Sequence, residues 1–490
     1  MAAKKIRLTD SQTRVLSQIL DFIDARGERV FILKGYAGTG KTTLLRFLLK
    51  ELKKRNLPVH LMAPTGRAAK VMSNLAGDGG NNPIARTIHS YIYSFKGLNK
   101  NIDEKESPTF DTDGQLFLEF EAGERACDES GDKVVHIIDE ASMVSDFEQK
   151  EVSQAKFGSG RLLNDLLSYD LRPKSKYIFV GDPCQLPPVE QQQSPALNAA
   201  YFATHYHMRV CEAQLTEIMR QTGTSSLITA SKKVRVLYQN APENAAVYGR
   251  GTVWGKLPFR AMPDIHWHVD AGDLVRHYIG QVKRAGLESA IFICRSNAKC
   301  QQFNLSIRPM LGITSSSVAV GDMLMVTQNN LLVPLVNGDM VQVTEVTDQV
   351  SHCCDLQYRL VTVRELFTGK LHKTWLLEDI LYCGQPNLDK VRQSNLMYDF
   401  VIRMRRQGIK QGSNTFNTMM RTDVYLNALR CNFGYAVTCH KAQGGEWDTV
   451  YVDMPRNITM NPVKEKYQWV YTAMTRASRS LHLVNDFFYE

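Results

Sequence analysis

The chain has 490 residues, which is enough for roughly two to four domains with separate cores. Its 43% hydrophobic and 22% charged residues are typical of a soluble globular protein, and no apolar run approaches the length of a membrane span. The net charge of +9 favours a polyanionic partner without establishing one.

The acidic residues are concentrated in one segment. Residues 101–132 carry eleven acidic residues against two basic ones, so the rest of the chain has a net charge of about +18. This basic body suits a groove that follows a nucleic-acid strand. No secretory signal precedes the first motif, and the ten cysteines include no Cys-x-x-Cys pair. We therefore expect reduced thiols, a cytoplasmic location and no membrane partner.

Seven short, nearly continuous apolar runs predict strands that are covered on both faces. Helical patterns follow the first two runs, over Thr43–Arg55 and Gly66–Leu75, so we expect parallel sheets of the α/β class. The predicted strands are Val30–Leu33, Val59–Met62, Val134–Ile138, Tyr177–Val180, Ala290–Cys294, Thr449–Val452 and Leu481–Val484.

A phosphate-binding loop follows the first predicted strand. Residues 35–42 read GYAGTGKT, which fits G-x-x-x-x-G-K-[ST] between a strand and a helix. Backbone N–H groups and the helix N-terminus bind phosphate oxygens in such a loop. We expect Lys41 to contact the β- and γ-phosphates and Thr42 to bind Mg²⁺. The full predicted set of this loop is Gly35, Ala37, Gly38, Thr39, Gly40, Lys41, Thr42 and Thr43.

An acidic pair, Asp139 and Glu140, ends the predicted strand Val134–Ile138. Asp139 is placed to hold Mg²⁺, and Glu140 is placed to polarise the water that attacks the γ-phosphate. Together with the loop at residues 35–42, this pair predicts hydrolysis of ATP with Mg²⁺. The two motifs leave open what the hydrolysis drives.

Two stretches do not follow the alternation of strands and helices. Within residues 92–132 we predict a β-hairpin, with strands Thr109–Thr112 and Gln115–Glu121 joined at Asp113-Gly114. Residues 318–377 read as several short strands with a turn at Asn337-Gly338, which suggests a small inserted β-barrel. The stretch after it, residues 390–411, is basic, although a charge run is more often simply a solvated face.

Further motifs occur in a characteristic order, and with them the chain resembles the superfamily 1B helicases of the RecD and Dda type over roughly residues 8–485. The segments that carry the resemblance are 8–12 (LTDSQ), 63–69 (APTGRAA), 87–90 (TIHS), 181–188 (GDPCQLPP), 215–221 (LTEIMRQ), 438–446 (TCHKAQGGE) and 470–477 (VYTAMTRA).

The resemblance implies roles for residues on both sides of a nucleotide cleft. Gln12 would read adenine, Gln185 would sense the γ-phosphate, and Arg220 and Arg476 would supply mobile cations from a second domain. Gly445 and Glu446 join the nucleotide-binding set. A surface salt bridge is the alternative for each arginine, and a loop amide is the alternative for Gln185.

The resemblance also implies contacts with DNA. Pro64, Thr65, Thr87, His89, Thr438 and His440 would contact the strand, and Phe110 or Phe117 on the hairpin would act as a pin at the fork. Plain helix capping is the alternative for Thr65 and Thr87. The histidines could equally be structural and the phenylalanines could merely pack the hairpin, just as Tyr36 and Tyr471 could pack in a core or against nucleotide.

We therefore expect two RecA-like P-loop motor domains with a β-hairpin pin insertion and an SH3-like β-barrel insertion. The boundaries are 1–215 for the first motor domain with its insertion at 92–132, 216–310 and 416–490 for the second, and 311–415 for the SH3-like insertion with its basic sequel.

The function expected from the resemblance is that of an ATP-dependent DNA helicase that moves 5′-to-3′ and unwinds duplex as a monomer. Its partners would be single-stranded DNA, a duplex fork and proteins of DNA replication, repair or recombination. Two alternatives stay open: a translocase that displaces bound proteins, and a motor subunit of a larger DNA-processing complex.

Overall fold

The computed structural model describes residues 7–76, 84–100, 116–123, 133–148, 155–217, 225–241, 256–385, 387–456, 458 and 463–490. Within these ranges the chain forms two parallel sheets, one larger antiparallel sheet and one small three-stranded sheet. In the described residues we find no helix that is both long enough and apolar enough to cross a bilayer.

The first parallel sheet has six strands in the order β3-β2-β6-β8-β1-β9. The strands are β1 (Val30–Gly35), β2 (Val59–Ala63), β3 (Arg86–Thr87), β6 (Val135–Ile138), β8 (Lys176–Gly181) and β9 (Val210–Leu215). Its helices are α1 (Asp10–Asp24), α2 (Lys41–Lys54), α3 (Gly66–Ala76), α4 (Ile88–Ile92), α5 (Leu162–Tyr169) and α6 (Ala199–Tyr206).

Hydrophobic cores cover both faces of this sheet. Ile178 and Val180 of β8 pack with α1, α2 and α3, whereas Tyr177 and Phe179 of the same strand pack with α4, α5 and α6. Successive strand residues point to opposite faces, so both sets must be apolar, which explains the continuous apolar runs in the sequence.

The second parallel sheet has five strands in the order β10-β19-β18-β11-β17. They are β10 (Ile265–His268), β11 (Ala290–Cys294), β17 (Ala436–Thr438), β18 (Trp447–Val452) and β19 (Ala477–Val484). The accompanying helices are α7 (Ser226–Asn240), α8 (Ala271–Ala285), α9 (Asn297–Met310), α12 (Cys439–Ala442) and α13 (Val463–Met474). All seven predicted strands lie in the two parallel sheets, so the α/β class is confirmed.

The larger antiparallel sheet has the order β15-β14-β13-β12-β16. Its strands are β12 (Met323–Val326), β13 (Met340–Cys353), β14 (Leu356–Glu365), β15 (Leu371–Leu377) and β16 (Cys431–Phe433), and helices α10 (Lys390–Arg406) and α11 (Asn414–Thr422) precede its last strand. The predicted turn at Asn337-Gly338 lies between β12 and β13, with Gly338 at φ +92°.

The boundary predicted at residue 416 differs from the structure. Strand β16 pairs antiparallel with β12, so residues 431–433 belong to the antiparallel sheet, and the second parallel sheet resumes only at Ala436. The sequence of β16 is too short to show which sheet will receive it, because strand pairing is decided by contacts far along the chain.

The small sheet has the order β4-β5-β7, with β4 (Tyr93–Leu98), β5 (Leu118–Ala122) and β7 (Ala155–Phe157). The predicted strand Thr109–Thr112 and the turn Asp113-Gly114 lie outside the described residues. Within the described residues, β5 pairs with β4 at one edge and with β7 at the other. Because the first predicted strand is not described, its pairing with residues 115–117 stays a prediction.

Candidate active site between the two parallel sheets

The loop at residues 35–42 connects β1 to α2 and closes tightly. Gly38 and Gly40 both adopt φ +78°, a left-handed conformation that glycine tolerates best. A Cβ on Gly35 would lie 2.7 Å from Cγ of Lys41, so the loop also needs a glycine there. Lys41 Nζ donates to the carbonyl oxygens of Gly35 (2.7 Å) and Tyr36 (3.3 Å). The result is a compact backbone cradle at a helix N-terminus, which suits phosphate.

Carboxylates follow two neighbouring strands, and Asp182 is buried whereas Asp139 is half-buried. Asp139 follows β6, and Asp182 follows β8, which lies between β6 and β1. Burial, reinforced by Glu140, raises the pKa of Asp139 to about 6, and burial also raises the pKa of Asp182. The positive charge of Lys41 opposes both shifts. Carboxylates held in this way favour an additional cation nearby, and their oxygen atoms suit a hard divalent ion.

Glu140 adopts an unusual backbone conformation directly after Asp139. Its φ of +50° lies in the left-handed region, and its backbone N–H donates to Asp139 Oδ1 at 2.9 Å. A non-glycine residue in this region costs of order 1–3 kcal/mol, and such residues cluster at functional sites. The strained turn is consistent with a carboxylate held in a required direction.

Gln12 lies against the phosphate loop. Its Nε2 donates to the carbonyl of Thr39 (3.3 Å), and its Oε1 accepts from the backbone N–H of Thr9 (3.1 Å). Thr9 and Gln12 form the capping box of α1, and Gln12 is only 2% exposed. The Gln12 amide nitrogen therefore keeps one hydrogen for a ligand, and the amide oxygen keeps one lone pair.

Helix α13 of the second sheet reaches the phosphate loop directly. The Tyr471 hydroxyl accepts from the backbone N–H of Ala37 (3.0 Å) and donates to Asp182 Oδ2 (2.9 Å). Burial, with the charge of Asp182, raises the pKa of Tyr471, so the hydroxyl keeps its proton. One side chain thus joins the loop, the carboxylate after β8 and the second domain.

The segment after β8 is held by three more bonds from the second domain. The backbone N–H of Leu186 donates to Thr472 Oγ1 (2.9 Å), and Gln443 Nε2 donates to the Leu186 carbonyl (3.1 Å). Gln468 Nε2 donates to the carbonyl of Gln185 (3.3 Å). The buried Oε1 atoms of Gln185 and Gln443 have no hydrogen-bond partner within the described ranges. These two amide oxygens mark the cleft as a place for a further polar ligand.

Tyr36, at the second position of the loop, packs into the core of the second domain. The Arg235 guanidinium carbon lies 3.9 Å from its ring centroid, and its hydroxyl accepts from Gln239 Nε2 (3.0 Å) and Gln214 Nε2 (2.7 Å). Arg235 and Gln239 belong to α7. The ring therefore anchors the loop to the second domain, in agreement with the core-packing alternative.

Arg476 is held within the second domain. Its Nη1 donates to the Gly445 carbonyl and its Nε to the Thr472 carbonyl, both at 3.1 Å, and the residue is 5% exposed. Arg67 lies close enough to Arg476 for their charges to repel. Burial, followed by this repulsion, lowers the pKa of Arg67 to about 10. Two guanidinium groups that repel each other across a cleft are suited to an anion.

Gly445 allows Arg67 to approach. The Arg67 guanidinium carbon lies 4.5 Å from the Trp447 ring centroid and 4.9 Å from that of Phe367. A Cβ on Gly445 would lie 2.8 Å from the Arg67 guanidinium carbon and 2.4 Å from Trp447 Cη2. Gly445 therefore has a packing role beside Arg67, and Glu446 is exposed next to it.

Helix α3 also meets the antiparallel sheet. Lys70 forms an ion pair with Asp339, which is 8% exposed. At the start of the helix, a Cβ on Gly66 would lie 2.3 Å from Cγ2 of Val336. The segment after β2 and the connection from β12 to β13 are therefore in close contact.

Threonines lie at three strand ends, with different hydrogen bonds. Thr65 Oγ1 accepts from the backbone N–H of Ala68 (3.3 Å), and Thr87 Oγ1 accepts from that of Ser90 (3.1 Å). Both side chains therefore cap helices, as the alternative interpretation expected. Thr438 precedes α12, and its side chain makes no capping hydrogen bond in the part of the chain described.

The two predicted strand-contacting histidines are neutral. Burial lowers the pKa of His89 to about 4 and lowers the pKa of His440. The ring of His89 meets Phe157 at a centroid distance of 5.0 Å. Such rings offer hydrogen bonding and stacking, and they carry no charge for phosphate at neutral pH.

The predicted pin residues are only partly described. Phe110 lies outside the described residues, as does Arg220. Phe117 precedes β5, where its backbone N–H donates to Asn99 Oδ1 (2.9 Å). Its neighbour Leu116 is buried against the hydrophobic core formed with α10 and α11, so the small sheet is anchored to that part of the chain.

The structure thus brings together residues from the whole length of the chain. Sequence motifs located Gln12, the phosphate loop, Asp139, Gln185 and Arg476. Arg67, Asp182 and Tyr471 lie inside the same motifs, but the sequence alone assigned no role to Arg67 or Asp182 and left two roles open for Tyr471. The signal was present there, but only the folded chain shows which motif residue faces the cleft.

Two family models match the chain. An AAA domain model matches residues 7–248, and a UvrD-like helicase C-terminal domain model matches residues 433–484. The first match contains the phosphate loop and both acidic strand ends. The second match contains the segments around Thr438 and Arg476.

Two relatives and one solved structure match this chain over different fractions of its length. Uncharacterized protein R530 of Acanthamoeba polyphaga mimivirus is 24% identical over 96% of this chain and 98% of its own length. The ATP-dependent DNA helicase dda of Enterobacteria phage T4 is 30% identical, but the match covers 44% of this chain and 40% of that protein. A Pif1 helicase structure from Bacteroides aligns with a TM-score of 0.48 and 19% identity, covering 99% of this chain and 93% of the other.

Proposed function

Because the chain belongs to the superfamily 1B helicases of the RecD and Dda type, we propose that it is an ATP-driven DNA helicase that moves 5′-to-3′ on single-stranded DNA and unwinds duplex. One observation carries the proposal: the Tyr471 hydroxyl of the second domain bonds to both Ala37 of the phosphate loop and Asp182. A change at the nucleotide therefore alters a contact between the two domains.

The hydrolysis site draws on both domains. Lys41 leaves its carbonyl partners to neutralise the β- and γ-phosphates, and Glu140 orients the attacking water. Gln185, whose buried Oε1 has no partner in the described residues, contacts the γ-phosphate or that water. Arg476 turns from the carbonyls of Gly445 and Thr472 toward the developing charge, with Arg220 as the second cation. Gln12 contacts the adenine.

The acidic strand ends fit a magnesium ion. Asp139 is half-buried beside Glu140, and desolvation with that neighbouring charge raises its pKa, so a cation bound there relieves an unfavourable charge. Thr42 and Asp139 would hold the ion. When bound, Mg²⁺ neutralises charge on the phosphate oxygens.

The DNA strand crosses the ends of both parallel sheets. Thr87 ends the edge strand β3 of the first sheet, and Thr438 ends the edge strand β17 of the second. Thr65 and Thr87 position helix N-termini whose free N–H groups bind phosphates without reading bases, and Thr438 does so through its hydroxyl. Pro64, His89 and His440 complete the path with contacts to sugars and bases.

Separation of the duplex is assigned to the segment between β4 and β5. This segment, residues 99–117, contains Phe110 and Phe117 and carries five acidic residues against two basic ones. An aromatic ring there would stack on the last base pair while the acidic residues repel phosphates. The antiparallel sheet, in the place of the SH3-like insertion, would guide the strand.

Movement follows from alternate closing and opening of the cleft. ATP draws Lys41 and the arginines together, and loss of the γ-phosphate releases them. If the Thr65–Thr87 side and the Thr438 side alternate in their grip on phosphates, each cycle advances the protein along the strand. One chain contains both sides of the site, so a monomer suffices.

The test compares Lys41→Ala with Lys50→Ala, a change at an exposed lysine of the same helix. DNA-stimulated ATPase and unwinding are measured on 5′-tailed and 3′-tailed duplexes. We expect wild-type protein and Lys50→Ala to unwind only the 5′-tailed duplex, and Lys41→Ala to lose both activities. Unwinding by Lys41→Ala would refute the motor. ATPase and protein displacement without unwinding would instead identify a translocase.

A further inference from the structure

Four of the twelve histidines gather at the edge of the second sheet that lies opposite β17. His266 and His268 lie on the edge strand β10, His482 lies on the neighbouring strand β19, and His277 lies on α8. The nucleotide site and the proposed strand path use none of them.

Strand register places three of these side chains on one face. His266 pairs with His482 in the parallel ladder between β10 and β19, and His268 is two residues further along β10. Side chains two residues apart share a face of a strand. The ring centroid of His277 lies 4.7 Å from that of His268 and 5.7 Å from that of His482, so α8 brings a further imidazole to this face.

We propose that His268, His277 and His482 form a binding site for Zn²⁺. One ring nitrogen from each lies within 4.8 Å of the others, and His268 Nε2 lies 2.9 Å from His482 Nδ1. Zinc binds imidazole nitrogens at about 2.0–2.1 Å in a tetrahedral set, which places neighbouring nitrogens roughly 3.4 Å apart. Small side-chain rotations therefore bring the three nitrogens to bonding distance, with a water molecule as the fourth ligand.

A carboxylate orients the central ligand. Asp273 Oδ2 lies 3.1 Å from His268 Nδ1 and also accepts from the backbone N–H of Val269 (3.4 Å). A proton on Nδ1 donated to this carboxylate leaves the Nε2 lone pair of His268 directed at the cluster. Metal-binding histidines usually have such a partner, which fixes the tautomer and strengthens the ligand.

Two of the three histidines are buried, and one side of the site is open. His268 and His482 are buried, and burial lowers the pKa of both imidazoles, that of His482 to about 3. His277 is exposed and offers a path for the ion to enter. A bound ion would link β10, β19 and α8 at one centre, in addition to the hydrogen bonds that His268 makes with Asp273 and His482.

The experiment uses the full chain without an affinity tag, stripped of metal by a chelator and kept in excess Mg²⁺. Titration with Co²⁺ is followed by visible absorption, and Zn²⁺ is then added to displace it. We expect one equivalent of Co²⁺ with the absorption of a tetrahedral nitrogen and oxygen site, full displacement by Zn²⁺, and a rise in melting temperature with Zn²⁺.

Variants identify the ligands. His277→Ala, at an exposed position, should weaken Co²⁺ binding at least about 100-fold and abolish the Zn²⁺-dependent rise in melting temperature, while its DNA-stimulated ATPase stays unchanged. Asp273→Asn should weaken binding about 10- to 100-fold. His205→Ala, at an exposed histidine of α6, should bind like the wild type.

A second group of donors provides the main competing result. Cys353, Cys354 and Asp399 also bring ligand atoms within 4.8 Å of one another. Thiolate-to-cobalt charge-transfer absorption that disappears in Cys353→Ser/Cys354→Ser, with binding unchanged in His277→Ala, would overturn the proposal. The proposal would also be overturned if wild-type protein bound Co²⁺ no more tightly than His277→Ala. The histidines would then form only a hydrogen-bonded cluster.

Discussion

Removal of the Tyr471 hydroxyl tests the link between the two domains. In Tyr471→Phe the ring remains, but the N–H of Ala37 and the carboxylate of Asp182 each lose a partner. A neutral hydrogen bond contributes about 1 kcal/mol and one to a charged group about 1.5–3 kcal/mol, so the closed arrangement loses about 2.5–4 kcal/mol. At 1.4 kcal/mol per decade this equals roughly a 60- to 700-fold loss of the closed population.

Water that enters the vacated position offsets part of this loss, so we expect a decrease in the hydrolysis rate of about 10- to 100-fold. The assay is single-turnover ATP hydrolysis at saturating single-stranded DNA, with ATP affinity measured separately by a fluorescent analogue. The control is Tyr278→Phe, since the buried Tyr278 hydroxyl has no hydrogen-bond partner among the described residues. A rate for Tyr471→Phe within twofold of the wild-type rate would refute the reasoning.

Three further substitutions test other parts of the account. Glu140→Gln should keep ATP affinity but lower single-turnover hydrolysis about 10²- to 10⁴-fold, and a loss below tenfold would remove Glu140 from the reaction. Gly66→Ala should overpack the contact with Val336 at a cost of about 1–3 kcal/mol and lower DNA-stimulated ATPase about 5- to 150-fold. Gly66→Ala/Val336→Gly should recover most of the lost ATPase activity. A double variant as slow as Gly66→Ala would count against the contact. Phe110→Ala or Phe117→Ala should lower the ratio of unwinding to DNA-stimulated ATPase at least about fivefold, because stacking contributes about 1–3 kcal/mol per base; an unchanged ratio in both variants rules out this pin.

Local motifs and buried strands were predictable from the sequence. The phosphate loop is contiguous, and its glycines and Lys41 have roles that depend on only eight residues. Asp139 was predictable because a continuous apolar run delivers it to a strand end, and the observed strand β6 (Val135–Ile138) differs from the predicted run by one residue. The α/β class follows from the same runs.

Pairing between distant segments was not predictable. Residues 118–121 were correctly expected to be extended, but their neighbours are β4 and β7, the second of which lies more than thirty residues further on. Strand β16 likewise joins β12 from over a hundred residues away. Such choices depend on packing of the whole domain, which a short strand sequence does not encode by itself.

The contacts across the cleft also required the folded chain. Tyr471 packs in the core, which was one of the two roles left open for it, but the sequence did not show that its hydroxyl joins Ala37 to Asp182. The histidine cluster had a sequence signal in the alternating His266 and His268, but His277 and His482 complete it only through the register of β10 with β19 and the packing of α8.

The account depends on Arg476 reaching a phosphate that the first domain holds. A crystal structure of the full chain with single-stranded DNA and a transition-state analogue of the γ-phosphoryl group tests this most directly. We predict that the Arg476 guanidinium donates to the analogue while Lys41 contacts it from the other side. An Arg476 that still bonds to the carbonyls of Gly445 and Thr472, with the analogue fully bound by the first domain, would contradict the account.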